Sequence, residues 1–295
     1  MVGCGTMAEK SRMKITVGIP CYNGSLYIGP TIESVLKQTR PANEVLVVDD
    51  GSTDNSAQII SHYPVKLIQH DFNKGLAVAR NTILEAAMGD VIVFIDADAI
   101  ADPNLLSVLL EGYENERVGG VGGQGIEANV YSLADRWRKR HASQSHSGRF
   151  KEVEFLYGLC MSFRTKVLRK VRGFNPAFRT NGEDIDVSLR VRKAGYCLRY
   201  LPDAKVYHQR TDNVLTLKRT MAAWYKAAYR AKEINNAKPW KLFAGTLYRL
   251  IADPIADLVV EHDIEMALLS WQIGWIKICA LWQAHRASIR TEEQA

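Results

Sequence analysis

Short runs of consecutive apolar residues alternate along the first hundred positions with stretches whose apolar residues recur every three or four positions. Residues 91–95 (V-I-V-F-I) are the clearest run, and 14–19, 44–48 and 65–69 resemble it. Runs this short, dominated by Val and Ile, predict strands buried on both faces of a parallel sheet. Between them, 25–38 carries Leu26, Ile28, Ile32, Val35 and Leu36 at helical spacing, and further helices are predicted up to about 62 and over 74–88. Strand and helix alternating with short links predict an α/β domain with helices on both faces of its sheet. The 91–95 run ends in two carboxylates, Asp96 and Asp98, and the 44–48 run ends in Asp49 and Asp50. Acids at the carboxyl ends of parallel strands lie where open sheets bind ligands. Asp96 and Asp98 are spaced to hold a divalent cation whose shell substrate phosphates complete. The alternative, that one of them caps the next helix, loses force because Asp102 already stands before Leu105. Asp49 reads as structural.

The pattern is less regular further on. Residues 119–125 (G-G-V-G-G-Q-G) read either as a flexible loop or as a strand with bulges. Residues 131–146, rich in Arg, Lys and His, predict a helix with a solvated face or one that meets an acceptor. A strand is predicted over 156–163, a short helix over 165–171, and another helix from Glu183 and Asp184 through Val191. Acids at that junction suit the helix dipole whether or not they do chemistry. His208 follows the strand-like 198–207, as a strand-end residue or a ligand. Over 214–230 Val214, Leu217, Met221, Trp224, Tyr225 and Ala228 share a helix face opposite Arg219, Lys226 and Arg230, a helix that packs on the protein or lies on an anionic membrane. A further helix is expected to end before Pro254. Residues 266–282 are apolar nearly all round but hold Gln272 and Lys277, which favours a buried or dimerising helix over a span. Peripheral attachment to the inner membrane stays open, because three Trp there suit an interface.

The 295 residues, 47% of them hydrophobic, suffice for one large domain and an appendage, and are too polar for a polytopic membrane protein. The net charge of +6 is uneven: from Lys205 to Arg249 ten Lys or Arg face two acids, so an anionic partner would meet the C-terminal part. Five scattered cysteines without a C-x-x-C suit a reducing cytoplasm. Residues 1–13 lack the apolar core of a signal peptide and are expected to be a disordered lead-in. No G-x-G-x-x-G dinucleotide loop follows the first predicted strand and no G-x-x-x-x-G-K-[ST] phosphate loop is present, which leaves a metal and Arg to neutralise any diphosphate.

Five segments in order, P-C-Y-N-G at Pro20, V-V-D-D-G-S-T-D ending at Asp54, K-G-L-A-V-A-R-N ending at Asn81, I-D-A-D ending at Asp98 and N-G-E-D ending at Asp184, resemble the family 2 glycosyltransferases of GT-A fold. The resemblance runs from Ile15 to His208 and fades beyond Thr211. It implies a Rossmann-like, mainly parallel sheet over 14–212, divided into a nucleotide-binding half (14–100) and an acceptor-binding and catalytic half (101–212), with a helical extension over 213–295. It further implies an inverting, hexosyltransferase-type enzyme of cell-envelope polysaccharide synthesis, using a nucleotide-diphospho-sugar donor, a glycan or lipid-linked acceptor and Mn or Mg. By the same resemblance Pro20 and Tyr22, with Asn23 in the same turn, line the nucleotide base, Asp50 hydrogen-bonds it, and Arg80 lies near the diphosphate. Asp98 is the direct metal ligand of the D-x-D, Asp96 its companion, and His208 approaches the metal or diphosphate. Asp184, paired with Glu183, is the base. On the residues alone, Tyr22 and Asn23 also read as turn residues, Asp50 as a cap and Arg80 as a surface helix residue. Processive members carry Q-x-x-R-W after the E-D helix. Here Arg136-Trp137 lies upstream of it with Leu133 in place of Gln, which implies addition of one sugar.

A polyprenyl phosphate acceptor at the membrane and a non-catalytic nucleotide-sugar-binding scaffold are the alternative functions. A homodimer through the C-terminal helices is a further candidate, and no nucleic-acid partner is expected, since no recognised module accompanies the basic stretch.

Overall fold

The computed structural model describes residues 12–146 and 149–292. Most of the lead-in expected at 1–13 lies outside the described residues, and Met13 packs against the core. The elements in chain order are β1 (Ile15–Cys21), α1 (Ile28–Leu36), β2 (Glu44–Asp49), α2 (Ser56–Ile60), β3 (Lys66–Gln69), α3 (Leu76–Ala86), β4 (Val91–Ile95), β5 (Ala99–Ala101) and α4 (Leu105–Glu111). They continue with β6 (Val118–Glu127), α5 (Leu133–His141), β7 (Lys151–Val153), β8 (Cys160–Arg164), α6 (Thr165–Lys170), α7 (Glu183–Lys193), β9 (Cys197–His208), α8 (Val214–Ile234), α9 (Trp240–Val259) and α10 (Ile264–Glu292). By internal contacts the chain forms two units, one running to Ala128 and resuming at Gln144–Gln209, the other made of Asn129–Ser143 and Arg210–Ala295.

The first unit is built on one mixed sheet in the order β3-β2-β1-β4-β8-β6-β9-β5, with β7 beside β9. β3, β2, β1 and β4 run parallel. β8 enters antiparallel between β4 and β6. Alternate residues of the buried runs feed two cores, one on each face: Val91, Val93 and Ile95 face one, Ile92 and Phe94 the other. The glycine-rich segment is a strand with irregular register, β6, with shifts between Val118 and Gly120 and between Gly122 and Gln124. A Cβ on Gly123 would lie 2.1 Å from the Ala204 carbonyl oxygen, which is why glycine sits where β6 crosses β9. The helix predicted over 74–88 is shorter at both ends. Gly75 has φ 99, and Ala87 turns to extended backbone.

The second unit contains α5, α8, α9 and α10. One expectation is completed here and one changes. The Arg- and Lys-rich helix has its solvated face along Arg136, Lys139 and Arg140, and its other face is interior: Ala134, Trp137 and Arg138 are buried, Trp137 Nε1 donates to Ser270 Oγ at 2.7 Å, and Arg138 pairs with Asp212. Arg alternating with Trp looks polar in the sequence, yet each side chain finds a partner. The next helix does not stop before Pro254, which lies inside α9. Pro in a helix interior costs about 3 kcal/mol. Here the turn beyond it is anchored by the fully buried Asp257, which accepts from His141, Arg140 and Ser270. α8 packs inward through Leu217 and Met221, against Ala134 and Trp137 of α5 and Leu269 and Ile273 of α10.

Lys277 is 4% exposed, its ammonium 4.9 Å from the Trp137 ring and 5.0 Å from that of Tyr225. Burial pushes it down to about 8, with Asp253 opposing. A lysine whose folded value lies below its unfolded one costs stability while both states are charged, and that cost fades as pH rises from about 8 to 10.5. Lys277→Met is therefore expected to raise stability at pH 7 by about 2 kcal/mol, less the lost cation–π contacts, and to flatten the alkaline rise. Denaturant melts at pH 7 and pH 10 check both.

Candidate active site

The loops at the carboxyl ends of β1 and β2 interlock. Asn23, in the left-handed region at φ 50, accepts from Thr53 N at 2.8 Å, and its own N–H donates to Ser52 Oγ at 2.9 Å. Gly24 N donates to Ser56 Oγ at 2.9 Å. Pro20 is buried at the end of β1, whereas Tyr22 is 50% exposed on the rim. Asp50 is 3% exposed and accepts from Lys74 N at 3.0 Å and Gly75 N at 2.7 Å, with His70 Nδ1 at 2.6 Å. Its carboxylate therefore fixes the start of α3, and little of its surface reaches solvent.

Five residues into α3 stands Arg80, which is fully buried and not on a helix surface. Its guanidinium donates to Asp96 Oδ1 at 2.8 Å, Glu183 Oε1 at 2.5 Å and the Gly158 carbonyl at 3.0 Å, and lies 5.6 Å from the Phe174 ring. A buried carboxylate needs such a partner, and a planar fork serves two at once. Gly158 N donates in turn to Asp184 Oδ2 at 3.0 Å, and Ile185 N to Asp184 Oδ1 at 2.8 Å. Thus Arg80, Asp96, Glu183, Asp184 and Gly158 form one cluster drawn from β4, α3, α7 and the turn before β8. Burial pushes Glu183 up to about 7 against the pull of Arg80, with Asp184 adding to the rise. Burial also raises Asp184, again opposed by Arg80. Asp96 rises to about 6, driven by burial and opposed by Arg80.

Asp98 belongs to a second cluster. β5 pairs antiparallel with the end of β9, and β6 lies parallel on the other side of β9, so that His208 stands opposite both Ala99 and Glu127. His208 Nε2 lies 3.3 Å from Asp98 Oδ2, and its Nδ1 lies 3.1 Å from both Glu127 oxygens. Burial works against charge on His208, but Asp98 and Glu127 outweigh it and hold the imidazole up to about 9. Glu127, His70 and Gly158 were not singled out in the sequence. Glu127 follows a glycine run and Gly158 sits in an apolar stretch, and nothing local marks either one. Among the described residues no three His, Cys, Asp or Glu are spaced to hold a metal ion by themselves. Two carboxylates one residue apart still fit a hard cation that takes its remaining oxygens from a bound diphosphate.

Residues 16–172 match the family model described as glycosyl transferase family 2. The chain belongs to that family. The match takes in Asp50, Arg80, Asp96 and Asp98 and ends before Glu183 and Asp184. Among curated relatives of this glycosyl transferase family 2 chain, YibD of Escherichia coli K12, an uncharacterized glycosyltransferase, is 38% identical over 104 residues, 34% of this chain and 30% of that protein. Poly-beta-1,6-N-acetyl-D-glucosamine synthase of Staphylococcus epidermidis is 25% identical over 256 residues, 81% of this chain and 60% of that one. The chain thus spans between about a third and three fifths of these relatives' lengths. The mannosyltransferase PcManGT of Pyrobaculum calidifontis, solved with GDP-Man and Mn2+, superposes with a TM-score of 0.60 at 20% identity, covering 94% of this chain and 76% of that one. That likeness is one of fold, and the fold is GT-A.

Proposed function

We propose that this chain is an inverting glycosyltransferase, moving one sugar from a nucleotide-diphosphate donor to a hydroxyl of a glycan or lipid-linked acceptor. The observation that carries this reading is the Arg80 cluster. It ties Asp96, at the end of β4, to Glu183, at the start of α7, and so holds the D-x-D and the E-D pair in one site. Asp184 is the base. Burial gives it a raised proton affinity, and it takes the acceptor hydroxyl's proton as that oxygen bonds to the anomeric carbon and the bond to the diphosphate breaks. One base and no carboxylate nucleophile mean a single displacement. Mn or Mg, held by Asp98 and Asp96, would offset the charge gathering on the leaving diphosphate. His208 and Glu127 orient Asp98. Pro20, Tyr22 and Asn23 line the place for the nucleobase, while Asp50 and Arg80 act by positioning, since both are buried behind the groups they hold.

Donor binding across UDP-, GDP- and dTDP-sugars, with Mn, with Mg and with EDTA, tests this reading. One donor is expected to bind, and EDTA or Asp98→Ala is expected to weaken it at least about tenfold. Binding indifferent to both would remove the metal-assisted reading, and turnover lost on no substitution of Asp184 would remove the base.

A further inference from the structure

Unit two carries an apolar face that its own packing does not use. On α9, Leu247, Ile251, Ile255 and Leu258 are 50–62% exposed, and on α10, Ile264, Leu268, Trp271, Trp275 and Trp282 are 46–65% exposed. Steps of three, four or seven residues keep each set on one helix side. The two helices run antiparallel: Leu250 abuts Gly274, where a Cβ would come within 2.6 Å of Leu250 Cδ1, and Asp257 accepts from Ser270. Each stripe lies about a third of a turn round its helix from this contact line, in opposite senses for antiparallel helices. Both stripes therefore face the same way, as one continuous surface. Monomeric proteins rarely leave so large an apolar patch bare.

The charges around this surface say what covers it. In the turn between the helices, Glu261 and Asp263 are paired with Arg140 and Arg136. At the opposite end, Lys238 and Lys241 are exposed beside Trp240 and make no ion pair among the described residues. Arg286 stacks 4.5 Å from the Trp282 ring at that same end. The surface thus presents aliphatic side chains, Trp, and cations without acidic partners among the described residues. Trp and Lys or Arg at the edge of an apolar helix face suit the headgroup region of a bilayer. A second copy laid antiparallel would bring these cations over a turn whose acids are already neutralised. α10 does not cross the bilayer in this arrangement: half of its apolar window is buried inside the protein, Lys277 included.

We infer that the exposed face of the α9–α10 hairpin docks flat on an anionic lipid bilayer, with Lys238, Lys241 and Arg286 meeting the headgroups. The membrane-facing element is then this hairpin and not α8, whose apolar side is consumed by packing.

Cosedimentation of the full chain with phosphatidylcholine vesicles, plain or containing about a quarter phosphatidylglycerol, tests the inference. The wild type is expected to bind the mixed vesicles at least about tenfold more tightly than the plain ones. Ile251→Glu with Trp275→Glu is expected to lose at least about tenfold on the mixed vesicles, while melting like the wild type because both positions are exposed. Lys241→Glu with Arg286→Glu is expected to erase the preference for phosphatidylglycerol. A wild type that ignores both vesicles, or binding untouched by Ile251→Glu with Trp275→Glu, would overturn the inference. So would a dimer in solution that the same pair of substitutions dissociates without any vesicle binding. Donor affinity measured without vesicles reports on the active site independently.

Discussion

Asp184→Asn is expected to lower the transfer rate by about a hundred- to ten-thousand-fold while donor affinity stays within a few-fold of the wild type. The substitution keeps shape and removes the proposed proton acceptor. Its structural cost is small: the carboxylate now accepts from both Gly158 N and Ile185 N, and an amide oxygen can keep one of these bonds. The wild-type rate should also carry an acid limb. The base works only when ionised, and burial raises Asp184 above its ordinary value of 3.8, so the rate falls as pH drops through that raised value. In Asp184→Asn the limb assigned to this group disappears. Nucleotide release followed from pH 5 to pH 9, together with donor titration, measures both quantities. A variant that turns over at the wild-type rate would remove Asp184 from the mechanism.

Arg80→Met is expected to cost about 3–5 kcal/mol of stability near neutral pH and to abolish transfer. The guanidinium is fully buried between Asp96 and Glu183, and removing it leaves two carboxylates without their counter-charge. Both then hold their protons to higher pH than in the wild type, where they already stand at about 6 and about 7. For an acid whose folded value lies above its unfolded one, stability is greatest below the unfolded value and declines as pH rises toward the folded one. The gap between variant and wild type should therefore widen between pH 5 and pH 8. Urea melts at those two values test this, and Glu183→Gln added to Arg80→Met should recover part of the loss at the higher pH. A gap independent of pH would mean that the cluster is held by packing on Phe94 and Phe174 and not by charge.

Much of the first unit was legible because its signals are local. A run such as 91–95 can be little else than a doubly buried strand, and a strand ending in Asp96 and Asp98 already places acids on the ligand-binding rim. Side-chain partnerships across the sheet were not legible. Arg80 in a helix with Asn81 and Thr82 looks as much like a surface residue as a buried one, and only the return of the chain at Glu183, 103 residues later, makes it a core cation. Glu127 gains meaning from its place opposite His208, 81 residues away, which depends on how β6 registers beside β9.

The same division holds in the helical unit. Periodicity in 214–230 and 266–282 was enough to establish two helices with apolar faces, since spacing by three and four residues is a property of the chain itself. Which face is buried was decided by partners: α5, solvated along Arg136, Lys139 and Arg140, supplies Trp137 and Arg138 to the interior, and Asp257 anchors α9 in the turn past Pro254. Backbone preference and hydrophobic period act over a few residues, and so the sequence by itself determined the elements, their order and the acid-bearing strand ends. Desolvation and charge pairing act across whatever segments the fold brings together, and so only the tertiary structure decided that Arg80 binds the two acidic motifs into one site and which side of the C-terminal hairpin is left bare.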